Sequence, residues 1–279
     1  MSAGQKVSVI IPNYNYARFV GEAIESVISQ TYPNIEIIVV NNGSTDNSLE
    51  ILKEFGDRIY LVNQKNLGQS GARKAGLSKA TGDFIAFLDA DDIWEPQKIE
   101  KQLLLFSPRT ELVYCGIGRF SENSKKRVSI YLPRFRGSCA SAFVNQPGVS
   151  VVLSGESTAI FTRALLEKVG GFDPELNSAA GWDFFRRCSK FTNFDFVPEV
   201  LVNYRIHDSN MSNNGLKTIP DIRSAYKKLF EDKEWALTPK QSRRIVYSLE
   251  HAFLKTHLKQ RNFKAAIGAG LRMLLLRQY

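Results

Sequence analysis

Cysteine is scarce. Three residues, Cys115, Cys139 and Cys188, lie scattered through 279 positions, an odd set that builds no disulfide framework. Such usage fits a reducing compartment. No two of them have the spacing of zinc ligands. Long apolar runs are missing too: nothing approaches the roughly 18–20 residues that a transmembrane helix needs. Met1 to Lys6 is polar and lacks the apolar centre of a signal peptide, and strand-like sequence starts at Val7. The expected location is therefore cytoplasmic. No internal repeat is visible. What is present is ordinary globular composition, 43% hydrophobic and 23% charged, which excludes disorder or a fibrous repeat for most of the chain.

The net charge of +9 is unevenly placed. Residues 217–279 hold 14 Lys+Arg against 5 Asp+Glu, which accounts for all of the excess; residues 1–216 are balanced. The C-terminal quarter is thus the part that an anionic surface would attract. Its residues Phe263, Ala266, Ile267, Leu271, Leu274 and Leu275 recur at helical spacing. Lys255, Lys259, Arg261, Lys264, Arg272 and Arg277 surround them. A basic amphipathic helix of this kind lies on an anionic membrane or packs on a core with its charges in water. No nucleic-acid reading module is visible.

Along residues 1–106 strands alternate with helices. Val7–Ile11, Ile35–Val40, Ile59–Val62 and Phe84–Leu88 are short runs rich in β-branched and aromatic residues, which read as buried strands. Helical spacing separates them over 19–30, 44–55 and 69–80, and a fourth helix is expected over 96–106. Alternation of this kind means βαβ units and a parallel sheet, an α/β fold with ligands bound at strand C-termini. From Tyr114 to Ser154 glycines, Pro133 and Pro147 interrupt the pattern, and strands with long loops are expected. Glu156–Phe161 and Val200–Ile206 read as strands. Ala164–Val169 and Trp182–Lys190 read as helices, and helix formers dominate from Pro220 onward.

Two strand ends carry chemistry. Asp89, Ala90, Asp91 and Asp92 follow the fourth strand directly. Carboxylates packed this closely repel one another and call for a counter-charge. Mg²⁺ or Mn²⁺ bridging a diphosphate takes one or two such ligands. Alternate residues of an extended segment share a direction, so Asp89 and Asp91 are able to share a target. A solvated acidic turn explains the same spacing equally well. At the end of the first strand, Pro12 to Asn15 place a rigid proline and Tyr14 where a base would stack, or form a plain turn.

The ordered set of motifs resembles the family 2 glycosyltransferases. The matching stretches are Val7 to Asn15, Glu36 to Ser48, Asn66 to Gly68 with Gly71 to Arg73, Gly82 to Asp92, Val169 to Asp173, Trp182-Asp183 and Tyr204 to His207. They span roughly residues 7–212. The resemblance implies a GT-A fold, a Rossmann-like nucleotide-binding domain with a mixed, mostly parallel sheet. That domain is expected over residues 1–216, with a basic helical extension over 217–279.

It also implies roles. Pro12, Tyr14 and Asn42 would contact the base, Arg73 would lie near the nucleotide, and Asp89 and Ala90 would line its pocket. Asp91, helped by Asp89, would hold Mn²⁺ or Mg²⁺ on the diphosphate. His207 would approach the metal or phosphate, unless it is a plain surface histidine.

Two positions depart from the family pattern. Asn41-Asn42 stands where two aspartates are usual, and Gly181 stands where the family places its catalytic base, directly before the Trp-Asp pair. Inverting transfer wants a carboxylate to take the acceptor hydroxyl proton. Asp183 is the nearest, with Glu156 and Asp173 behind it; Asp183 is also placed to pair with Arg186 and Arg187. The expected activity is metal-dependent inverting transfer of a sugar from a nucleotide diphosphate donor to a hydroxyl acceptor. The setting implied is cell-surface polysaccharide or lipid-linked glycan synthesis, on the inner face of a membrane. The vacancy at Gly181 keeps a second reading open, a sugar-nucleotide-binding partner subunit with little or no turnover.

Overall fold

A computed structural model describes residues 4–122, 126–146, 150–153, 155–210 and 215–277. They form two compact units. The first takes residues up to Cys139 together with Val152–His207; the second takes Ala140–Val151 and the chain from Asp208 onward.

In the first unit, strands β1 (Val7–Asn13), β2 (Ile35–Asn42), β3 (Tyr60–Gln64) and β4 (Phe84–Phe87) run parallel in the order β3-β2-β1-β4. Helices α1 (Val20–Ile28), α2 (Ser48–Glu54) and α3 (Gly68–Leu77) connect them. Short β5 (Ile93–Trp94) and helix α4 (Lys98–Leu103) follow. Among the described residues the sheet then continues through β8 (Ile160–Thr162), β6 (Thr110–Ser121), β9 (Asn193–Ile206) and β5, with β7 (Arg127–Tyr131) on β6. The pairs β4–β8, β6–β8, β6–β7 and β5–β9 are antiparallel and β6–β9 is parallel, so the sheet is mixed. Helices α6 (Arg163–Val169) and α7 (Ala180–Cys188) lie between β8 and β9.

The sheet is covered on both faces. Val7, Val9 and Ile11 share a buried cluster with Val20, Ile24 and Val27 of α1. On the other face α3 comes so close that a Cβ at Gly76 would lie 2.4 Å from Ile10 Cγ2. Both-face burial is why Val7–Ile11 and Ile35–Val40 read as apolar runs broken only by Ser8 and Glu36. The N-terminal edge of these strands is fastened by Glu36. Its carboxylate accepts from Ser8 Oγ and from Thr81 N at 2.6 Å, and pairs with Lys6 Nζ at 2.7 Å. Burial pushes this carboxyl up, but those bonds outweigh it and hold it at about 2. The opposite, C-terminal edge is thereby left for ligands.

The strands expected in the interrupted stretch after Tyr114 include β6, a long and mostly buried strand. Its glycines are not loop residues: a Cβ at Gly116 would lie 2.7 Å from Glu199 O, so glycine is what lets β9 approach. The segment from Glu156 is a 3₁₀ turn over Gly155–Thr158, and only Ile160–Thr162 is strand. Helix α7 starts at Ala180, which puts Gly181 inside its first turn.

The second unit contains α5 (Ala140–Asn145), α8 (Gly215–Glu231), α9 (Pro239–Lys259) and α10 (Phe263–Arg277). Thr238 and Gln241 form a capping box at the start of α9. Glu250 on α9 is buried and receives Arg223 of α8 at 2.7 Å and Arg272 of α10 at 2.9 Å, which ties the three helices together. By compactness this unit takes in α5 and the chain from Asp208 onward. Among the described residues, no helix is long and apolar enough to cross a membrane.

Candidate active site

Strands β2, β1 and β4 are neighbours and parallel, so the loops leaving their C-terminal ends lie side by side. The loop after β1 and the loop after β2 are knitted into one wall. Asn13 Nδ2 and Asn15 N both donate to Ser44 Oγ, at 3.2 and 3.1 Å, and Thr45 N donates to Asn15 Oδ1 at 2.7 Å. Asn15 has φ 58°, a left-handed turn that asparagine tolerates. Pro12 is partly buried beside Val40, and Tyr14 stands 44% exposed at the tip. Such a ring is available for stacking.

Asn42 is almost fully buried. Its Oδ1 accepts from Gln64 Nε2 at 2.7 Å and Leu67 N at 3.0 Å, while its Nδ2 donates to Gly68 O at 3.1 Å. The amide thus shapes the loop leading into α3. An aspartate there would accept the first two bonds and leave Gly68 O without its donor, which is a physical reason for asparagine in this chain.

The acidic turn follows β4. Asp89 N donates to Ser157 Oγ at 3.1 Å, and Asp92 N closes the turn on Asp89 O at 3.0 Å. Ala90 is buried. Asp91 Oδ2 lies 2.9 Å from His207 Nε2, and His207 packs against Tyr16 and Phe19. Arg205, two residues earlier, donates from Nε to Asp91 O at 3.1 Å and from its backbone N to Asp92 Oδ1 at 3.4 Å. Arg205 and His207 are alternate residues at the end of β9 and so reach the same turn.

Negative charge is in excess here. Asp89, Asp91, Asp92 and Glu156 face Arg73 and Arg205. Desolvation raises the Asp89 carboxyl, the Glu156 charge adds to that, and Arg73 only partly offsets it, leaving Asp89 at about 7. Asp92 is raised well above the usual carboxylate range by burial and by Asp91 and Asp89. Tyr16 is likewise pushed up by burial and by Asp91.

Carboxyls held up in this way want a cation. Among the described residues, no three His, Cys, Asp or Glu groups converge as a closed metal cage. The donor set therefore fits an ion that takes one or two protein ligands, Asp91 with His207 or Asp89, and completes its shell with phosphate and water oxygens.

Arg73 on α3 is buried with its Nη2 2.8 Å from Glu156 Oε1, and its guanidinium lies 5.3 Å from the Phe172 ring centroid. Asp183 is buried, with Oδ1 accepting from Arg186 Nη2 at 2.8 Å and Oδ2 from Arg187 Nε at 2.7 Å. Both of its oxygens are engaged within α7. Asp173 Oδ1 accepts from Glu175 N at 2.9 Å in the turn before α7.

The structure thus gathers Asp89, Ala90, Asp91 and His207 at one strand end, with Pro12 and Tyr14 on the adjoining loop and Arg73 joined through Glu156. Sequence reasoning passed over Tyr16, Ser157 and Arg205. For Arg205, the two-residue step to His207 on a strand was the available signal.

A family model, Glycosyl transferase family 2, matches residues 8–170, more than half of the chain. The protein belongs to this family. An uncharacterised glycosyltransferase of Nostoc sp. is 36% identical over 213 residues, covering 74% of this chain and 66% of that relative, so the chain spans slightly less than two thirds of it. The putative glycosyltransferase EpsH of Bacillus subtilis is 28% identical over 92% of this chain and 72% of its own length. Among solved structures, S. aureus TarS residues 1–349 in complex with UDP-GlcNAc matches with TM-score 0.69 at 19% identity, covering 95% of this chain and 79% of that one. The mannosyltransferase PcManGT of Pyrobaculum calidifontis, in complex with GDP-Man and Mn²⁺, matches with TM-score 0.62 at 20% identity, covering 96% and 73%. At these identities the solved structures speak for the fold, which is GT-A.

Proposed function

We propose that the protein transfers a sugar from a nucleoside diphosphate donor to a hydroxyl acceptor, with inversion, assisted by a divalent cation at Asp91. The observation that carries this is the Asp91–His207 pair at 2.9 Å on the C-terminal edge of β4, beside the Pro12–Tyr14 loop. The two solved structures in complex with UDP-GlcNAc and GDP-Man support the donor class.

In this reading Tyr14 stacks on the base and Pro12 fixes the wall beneath it. Asp91 and His207, with Asp89, hold Mn²⁺ or Mg²⁺, which when bound neutralises charge on the leaving diphosphate. Arg73 and Arg205 hold the carboxylates around that point in place. Donor turnover tests the reading. UDP-glucose, UDP-GlcNAc and GDP-mannose are each incubated with the protein and Mn²⁺, and nucleoside diphosphate release is followed. Release from one of them well above the rate without protein is expected. Binding without release from any would favour the partner-subunit reading instead.

A second observation favours a setting at a membrane. On α10, Phe263, Ile267, Leu271 and Leu274 are 62%, 65%, 56% and 57% exposed, while Ala266 and Ala269 are buried. The apolar side chains therefore face outward along one helical stripe. Lys259, Arg261 and Lys264 are exposed around it. The side chains of Leu275 and Arg277 lie outside the described part. We read this face as docking on an anionic lipid bilayer, with acceptors among lipid-linked or surface glycans. Each basic residue near such a surface contributes about 1 kcal/mol. The protein is expected to float with anionic vesicles at low salt and to lose that association as salt rises. Ile267→Asp with Leu271→Asp should weaken it. No flotation with anionic vesicles, or no effect of the double substitution, would remove the membrane as the partner of this face; equal flotation with neutral vesicles would remove the part assigned to its charge.

A further inference from the structure

We propose that Glu156 is the catalytic base of the transfer reaction, reaching into space that Gly181 leaves open. The inference rests on the reading given under Proposed function. A Cβ built on Gly181 would lie 2.7 Å from Glu156 Oε1, 2.8 Å from Cδ and 3.0 Å from Oε2. The carboxylate of Glu156 and any side chain at position 181 therefore compete for one volume. A glycine in a helix is otherwise a poorer choice than alanine, because it loses more backbone freedom on folding. Its presence is explained by what fills the space.

The turn that carries Glu156 is built into the site. Ser157 Oγ accepts from Asp89 N at 3.1 Å, and Ser157 O accepts from Trp94 Nε1 at 2.9 Å. Thr158 Oγ1 donates to Leu153 O at 2.7 Å, and Thr158 O accepts from Gln102 Nε2 at 2.9 Å. Glu156 is thus adjacent to the residue that fixes the acidic turn, and its charge is felt at Asp89. Arg73 approaches Oε1 and steers the carboxylate.

Asp183, by contrast, is held by Arg186 and Arg187 on both oxygens, and Asp173 serves its own turn. In the step assigned to Glu156, its carboxylate takes the proton of the acceptor hydroxyl as the oxygen bonds to the anomeric carbon. The bond from that carbon to the diphosphate breaks, the electron pair leaves with the diphosphate, and the proton passes to water after release.

The test compares wild type with Glu156→Gln on the donor panel, with water or added azide as the acceptor. Azide carries no proton to remove. Glu156→Gln should slow nucleotide release to water by about 100-fold or more, in the range of a lost general base, while azide restores release. UDP or GDP should still bind with Mn²⁺ in calorimetry. Should Glu156→Gln fold poorly, Glu156→Ala combined with Gly181→Asp returns a carboxylate to the same volume. That pair should recover part of the rate that Glu156→Ala alone loses. A Glu156→Gln variant within threefold of wild type would overturn the proposal. So would loss of release that azide leaves unrestored. A wild type that binds nucleotide and never turns over, or that binds neither nucleotide, would instead refute the proposed function itself.

Discussion

Asp183→Ala is expected to destabilise the protein by about 3–5 kcal/mol, the cost of removing one partner from a buried ion pair. The reason lies in α7. Asp183 is 1% exposed, and its two oxygens hold Arg186 and Arg187, at three and four residues' spacing. Arg187 also donates to Val169 O and Gly171 O, both at 2.8 Å, so Asp183 indirectly ties α7 to the end of α6. Removing the carboxylate leaves the buried Arg186 charge without its Asp183 partner and loosens Arg187. The measurement is the urea midpoint of the variant against wild type. A midpoint unchanged alongside lost transfer would show Asp183 to be chemical rather than architectural.

This contrast between Asp183 and Glu156 shows where sequence reading stops. The i+3 and i+4 arginines beside Asp183 were visible in the sequence, and so was the structural role they offer. The relation between Glu156 and Gly181 was not. It is a matter of two atoms competing for one volume, between a turn and a helix that no local pattern connects.

The parallel half of the sheet was legible because strands buried on both faces read as runs dominated by β-branched residues, as in Val7–Ile11 and Ile35–Val40. Strand β6 was obscured by Gly116 and Gly118, which look like loop signals and serve instead to admit neighbouring chain. The motif places Asn42 as a base contact; its bonds to Gln64, Leu67 and Gly68, which shape the loop ahead of α3, are between segments that no local pattern connects. The acidic turn and His207 were legible as an ordered pair of motifs. Their meeting at 2.9 Å depends on β9 pairing antiparallel with β5, Asn203 opposite Ile93, which spacing alone does not reveal.

The largest functional effect is expected at that pair. Asp91 lies next to Asp89 and Asp92, whose raised carboxyls mark a site short of positive charge. A cation there supplies it and bridges to the phosphates; without the cation, a diphosphate would meet carboxylates directly and be repelled. Nucleotide binding should therefore stand or fall with the ion and with Asp91. The most direct measurement is a calorimetric titration of UDP and of GDP into the protein, with Mn²⁺, with EDTA, and with Mn²⁺ into Asp91→Ala. Saturable binding of at least one nucleotide is expected with Mn²⁺, weakened about tenfold or more, some 1.4 kcal/mol, in each of the other two conditions. Equal affinity in all three, or no binding of either nucleotide, would contradict it.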